Sequence, residues 1–118
     1  MERTTIQPDD NACLKATGAL SAGATNGTGI DIGPGFYKIT IHVTAVSGTS
    51  PTLDLVFADS DAVGGSYTSR GAFPQISAVG VYEAYVKFVQ AWVRYTGIVG
   101  GSSTPIVTCS IWAEPVLE

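Results

Sequence analysis

The stretch FYKITIHVTAVSGTSPTLDLVFADSD, Phe36 to Asp61, decides how the chain is read. In its first part Tyr37, Ile39, Ile41, Val43 and Ala45 alternate with Lys38, Thr40, His42 and Thr44. That is the two-residue period of a strand with one face in a core and the other in water. SGTSP then supplies turn residues, and TLDLVFA resumes the alternation with Leu53, Leu55 and Phe57 on one side and Thr52, Asp54 and Val56 on the other. Taken locally, the pattern predicts a β-hairpin closed by a short polar turn.

The same arrangement returns at VGGSSTPIVTCSIWAEP, Val99 to Pro115. Setting Pro51 against Pro105 brings Leu53, Leu55 and Phe57 opposite Val107, Cys109 and Ile111, and the preceding strands KITIHVTAV and AWVRYTGIV also correspond. The second Gly-Ser-Thr turn is one residue longer. At the positions of Asp54, Asp59 and Asp61 the second copy has Thr108, Ala113 and Pro115, so the acids are not part of what recurs. Two similar hairpins joined by a long connection predict a double Greek key, or jelly roll.

Further strands follow from parity. Tyr82, Ala84, Val86 and Phe88 are even-numbered, whereas Val89, Ala91, Val93 and Tyr95 are odd-numbered, so the switch at Phe88–Val89 marks a bulge or turn between two strands. A last strand has Val107, Cys109 and Ile111 inward and Thr108, Ser110, Trp112 and Glu114 outward. Upstream, Ala12, Leu14 and Ala16 form a short apolar patch, and Thr28 to Ile32 is a strand candidate within a Gly/Ala/Ser/Thr-rich region. DSDAVGGSYTSRGAFP reads as loop. No amphipathic helical pattern with a proper cap occurs. The expected architecture is an all-β antiparallel β-sandwich of jelly-roll type: residues 13–118 form one domain, and residues 1–12 form a polar N-terminal arm.

Composition narrows the function. Charged residues make up 14% of the 118, against about 25% in ordinary soluble domains, and mean hydropathy is slightly positive at +0.25. Area scaling for 12.2 kDa gives about 6,000 Å² exposed when folded, enough burial for one core. Ten acids against six bases, with no basic cluster, argue against nucleic acid as a partner. No apolar run long enough for a membrane span and no export-signal pattern is present, so the expectation is a soluble protein without a membrane partner. Cys13 and Cys109 are expected as two buried free thiols. Asn26 heads an NGT sequon, which is read as chance without a secretion signal.

Catalytic and cofactor patterns do not emerge. His42, the one histidine, lies on the polar face of a strand. The glycines of NGTGIDIGPG miss the dinucleotide spacing, and no cofactor is expected. Asp54, Asp59 and Asp61 could offer oxygens to calcium or form a glycosidase pair, but a solvated turn is the expected role of Asp59 and Asp61. Tyr67, Phe73, Trp92 and Trp112 could line a sugar groove, and are read instead as core or interface residues. The candidate partner contacts are Trp92, Trp112 and Ile106; out-facing apolar residues such as Val56, Ile106 and Trp112 suggest covered surfaces.

VTAVSGTSPTLDLVFADSD together with AWVRYTGIVGGSSTPIVTCSIWAE resembles a family of small proteins encoded in the structural gene clusters of tailed bacteriophages. The resemblance runs over roughly residues 36–61 and 81–114. It implies a jelly-roll cement or decoration protein on the outer capsid surface, bracing neighbouring capsomers, with the major capsid protein as partner and no enzymatic activity or cofactor. Such a protein would be made in the bacterial host cytoplasm and end in the virion, as a homo-oligomer, a dimer or trimer. The polar arm could order across a neighbour. A carbohydrate- or receptor-binding jelly roll of a tail fibre or baseplate is the alternative.

Overall fold

The computed structural model describes residues 12–116. Seven strands account for most of the described backbone: β1 (Ala12–Ser21), β2 (Gly23–Asn26), β3 (Ile30–Asp31), β4 (Gly35–Ser60), β5 (Thr68–Ala72), β6 (Gly80–Phe88) and β7 (Trp92–Pro115). All pairings are antiparallel. The expected arm, residues 1–12, lies outside the described residues except for Ala12, which already belongs to β1.

β4 and β7 are the frame. A strand of 26 residues would reach about 86 Å at ~3.3 Å per residue, yet the longest dimension of the molecule is 50 Å. Both strands therefore bend, and they bend together. Residues 35–47 of β4 pair with residues 106–115 of β7, from Tyr37↔Pro115 to Ser47↔Ile106; residues 52–60 pair with residues 92–100, from Thr52↔Gly100 to Ser60↔Trp92. Each half of the ribbon carries its own flanking strands. One layer runs β1, β7 (106–115), β4 (35–47), β6; the other runs β2 and β3, β7 (92–100), β4 (52–60), β5. The ladder is continuous around the corner, so one hydrogen-bonded sheet folds into a two-layer antiparallel sandwich, the class that the alternating sequence predicts.

The two hairpins expected at SGTSP and GGSSTP do not form. TLDLVFA does not turn back onto FYKITIHVTAV; it continues into the opposite layer, and so does IVTCSIWAE after AWVRYTGIV. The two strands cross to the other layer side by side in opposite directions. That antiparallel crossing explains the repeat, because equivalent residues occupy equivalent pairs. Val46↔Val107 on one side of the corner corresponds to Leu53↔Val99 on the other, and Ser47↔Ile106 to Thr52↔Gly100.

Corner chemistry is shared as well. Gly48 and Gly101 have φ of 96° and 119°, and Ser50 and Ser103 have φ of 49° and 61°. The extra residue of the second copy, Thr104, is also left-handed at 55°. Thr49 Oγ1 meets Ser103 Oγ at 3.2 Å. A Cβ on Gly48 would lie 2.7 Å from Pro105 Cα, and one on Gly101 would lie 2.8 Å from the Ser50 carbonyl oxygen. The glycines thus let the two backbones touch while each turns through a conformation that L side chains disfavour.

Inward positions follow the expected parity. Ile39, Ile41, Val43, Leu53, Leu55, Phe57, Val93, Cys109 and Ile111 are fully buried, with Leu14 and Leu20 of β1 and Val86 and Phe88 of β6 closing the core. Gly97 takes an inward position where a Cβ would stand 3.1 Å from Leu20 Cδ1, so the two layers meet there without a side chain between them. Ala45 departs from the expectation and is exposed, because a register shift between Val43 and Ala45 reverses the alternation. DSDAVGGSYTSRGAFP is not all loop, since it contains β5.

If the corner requires these glycines, Gly48→Ala and Gly101→Ala should each lower stability by roughly 2 kcal/mol or more, from the backbone conformation and the lost approach together. Gly64→Ala, with nothing within 4 Å of the added Cβ, should stay within about 0.5 kcal/mol of the parent. Equilibrium urea unfolding of the three variants measures the contrast.

Candidate interaction surface

The candidate acidic site takes a different form from the sequence expectation. Asp59 continues the inward series of Leu53, Leu55 and Phe57 and is fully buried, not part of a solvated turn. Arg70 Nε of β5 donates to both carboxylate oxygens at 2.9 and 3.0 Å, and the backbone N–H groups of Val89 and Gln90 donate to Oδ2 at 2.7 and 3.0 Å. The carboxamide of Gln90, turned so that its nitrogen faces the carboxylate, adds a donor at 3.1 Å from Oδ1. One side chain thereby ties the end of β4 to β5 and to the β6–β7 turn. It holds the turn that the sequence predicts after Phe88, although Val89, read as the first inward residue beyond the switch, is 62% exposed and the odd-numbered inward series begins at Val93. Asp54 accepts from Gln75 Nε2 at 3.1 and 3.3 Å, and Asp61 is exposed. Among the described residues no cluster of three or more His, Cys, Asp or Glu side chains could hold a metal.

The aromatic residues do not gather into a groove. Phe73 is buried and packs on Phe57 at 5.7 Å. Tyr67 lies under the Arg94 guanidinium, 4.2 Å from the ring centroid, and donates its hydroxyl to the Val63 carbonyl at 2.8 Å. Trp92, half-buried, starts β7 on the outer side of one layer, between Asp31 and Ser60. Trp112 stands on the outer side of the other layer, between Cys13 and Thr40, and is 41% exposed. The two tryptophans therefore face opposite ways. Ile106 shares the outer face with Trp112 but lies six positions away, about 20 Å along the strand; it is half-buried between Ser21 and Ser47. Val56 is half-buried on the outer side of the Trp92 layer.

What the structure does bring together is the outer face of the layer formed by β1, β7 (106–115), β4 (35–47) and β6. Cross-strand rows run Val81–His42–Ser110, Glu83–Thr40–Trp112–Cys13 and Tyr85–Lys38–Glu114. Phe36 and Tyr85 stack at 5.6 Å and 18°. Lys38 sits centrally, 3.4 Å from Glu114 and 3.6 Å from Glu83. The hydrogen bond to Glu114, then the charges of Glu114 and Glu83, hold its ammonium above the ordinary lysine range. Val81 and Tyr85 are 60% and 59% exposed. This open face combines rings and aliphatic groups with a lysine paired to two glutamates, which suits contact with another broad surface.

Cys13 and Cys109 are both free thiols. Cys109 is buried as expected, whereas Cys13 is only half-buried, because it lies on the outer side of the edge strand β1. Burial pushes the Cys109 thiol upward, against a smaller opposing effect of Lys15. Comparison with known proteins brings no relative to this geometry: no family model, no curated protein and no solved structure matches the chain.

Asp59→Ala should cost about 1–3 kcal/mol by leaving Arg70 and the part-buried N–H groups of Val89 and Gln90 without their acceptor, and neither calcium nor a chelator should move the melting temperature of the parent. In thiol titration of the folded protein Cys13 should label while Cys109 reacts only after unfolding. Urea unfolding, calorimetry and mass spectrometry of the labelled protein check these outcomes.

Proposed function

We propose that the chain is a non-enzymatic structural protein of a tailed-phage virion, a jelly-roll cement or decoration protein that binds the outer surface of the head and braces neighbouring capsomers. The single observation that carries the reading is the broad outer face bearing Phe36, Val81, Tyr85 and Trp112. It is an open sheet surface, wide enough to lie against another protein, in a chain with few charges. The strand order supports the jelly-roll part. In each layer a strand from the start of the chain lies beside β7 from its end, and β7 lies beside β4, which is flanked in turn by β6 or β5, the order expected of two interleaved Greek keys. The sequence resemblance supplies the biological setting, with the major capsid protein as partner and the capsid surface as location.

A carbohydrate- or receptor-binding jelly roll of a tail fibre or baseplate is the second reading, favoured by Trp112, whose exposed ring could stack on a sugar. Purified protein mixed with immature and expanded heads of the same phage should co-sediment with the expanded heads. Trp112→Ala should weaken that binding roughly tenfold or more if the ring is a central contact. Retention of a glycan on an array, lost in Trp92→Ala or Trp112→Ala and without head binding, would replace the first reading by the second. Absence of binding to either class of head would overturn the capsid role.

A further inference from the structure

The edge strand β6 carries a self-complementary pattern. Its outward residues read Val81, Glu83, Tyr85, Lys87, and the series continues to Val89 in the turn that follows. All five are exposed, and the three apolar ones are at least 59% accessible. Laid antiparallel to itself about Tyr85, this series places Val81 opposite Val89, Glu83 opposite Lys87 and Tyr85 opposite its own copy. Every pair is then apolar with apolar, acid with base, or ring with ring, the combinations that stabilise neighbouring strands.

β6 is also the sheet edge best prepared to accept a strand. It pairs with β4 over nine consecutive residues, Gly35↔Phe88 to Val43↔Gly80, without a register shift. Among the described residues its other side has no strand partner. The remaining edges are interrupted or short. β1 has two register shifts, and Lys15 folds back to donate to the carbonyl oxygens of Gly18 and Cys109 at 2.8 and 3.1 Å. β5 has five residues and a register shift against β4, while β2 and β3 have four and two residues. These are the usual ways in which a protein blunts an edge.

We infer that β6 pairs with β6 of a second copy, joining two sandwiches through one continuous antiparallel sheet about a two-fold axis at Tyr85. The contact is isologous, so the same patch serves both copies. On the inner side the two-fold sets Ala84 beside Val86 of the other copy and Tyr82 beside its Phe88, extending the core across the junction; Tyr82 and Ala84 are half-buried in the single chain. On the outer side the aromatic faces of both copies merge into one surface. The inference concerns assembly alone and stands whether or not the protein decorates a capsid.

Charge exchange tests it. Glu83→Lys alone sets two lysines against each other in both cross-strand pairs, and Lys87→Glu alone sets two acids together. The double exchange Glu83→Lys/Lys87→Glu restores opposite charges. Sedimentation equilibrium of the full chain over a concentration series should show a dimer. Each single exchange should raise its dissociation constant roughly tenfold or more, since two pairs change from attraction to repulsion, and the double exchange should recover most of the loss. Circular dichroism melting confirms that every variant is folded. A monomer throughout, a different oligomer, or a dimer indifferent to the single exchanges overturns the inference. Head binding by a monomeric protein would overturn it while leaving the proposed capsid role intact.

Discussion

A ribbon made of strands of 26 and 24 residues cannot stay straight in a body 50 Å long, and when one strand bends its hydrogen-bonded partner must bend at the same place. The β4–β7 pair meets this constraint by placing a left-handed glycine, Gly48 or Gly101, and a left-handed serine, Ser50 or Ser103, on each strand where the two backbones touch. Every other described strand is attached to this ribbon: β1, β2 and β3 to β7, and β5 and β6 to β4. Loss of the corner would therefore separate the layers rather than fray an edge. The internal repeat follows from the same geometry. Two antiparallel strands turning one corner are related by a local two-fold, so both meet the same steric requirement and answer it with similar residues.

Asp59 fastens the sandwich at the end remote from that corner. A buried carboxylate is costly unless its lone pairs are filled. Here Arg70 and the amides of Val89 and Gln90 fill them from two other elements. Leucine or valine at this inward position could have packed well, but neither could bind the N–H groups of the β6–β7 turn. Those groups lie just past the end of β6 at Phe88, where the chain turns toward β7. The acid thus satisfies the backbone at the point where one layer hands the chain to the other, and it fixes where that transfer occurs.

Much of this is legible in the sequence, because alternation reports directly which side chains face inward. The inward series of β4, β6 and β7 can be read from it, as can the break at Phe88–Val89 and the two-layer all-β class. Connectivity cannot, because a tight hairpin and a strand that bends into the opposite layer use the same Gly, Ser, Thr and Pro residues. Only the long-range pairing with β7 separates the two. β5 is hidden for a different reason: Thr68–Ala72 includes Gly71 and small polar residues and draws its place from β4. The role of Asp59 has a usable signal, since it stands in register with Leu53, Leu55 and Phe57. Aspartate in a glycine-rich context looks solvated, and parity is the better guide. Of the candidate contacts, alternation puts Trp112 and Ile106 on an outer side, but does not tell that Trp92 stands on the outer side of the opposite layer.

Low charge has a structural corollary that links the surface to the edges. A sandwich with free strand edges needs some means of refusing unwanted partners, and charged side chains are the simplest. With 14% charged residues the chain has few to spare. It uses irregularity instead on β1, where register shifts and the folded-back Lys15 spoil the edge, and brevity on β2, β3 and β5. β6 has neither device. Its regular nine-residue ladder is the feature least expected of a protein that must remain alone, and its two charges, Glu83 and Lys87, stand at positions where a reversed copy neutralises them instead of repelling them. Unlike a random exposed strand, this edge discriminates: a partner in another register would set Glu83 or Lys87 against an apolar side chain, and only the two-fold about Tyr85 satisfies both.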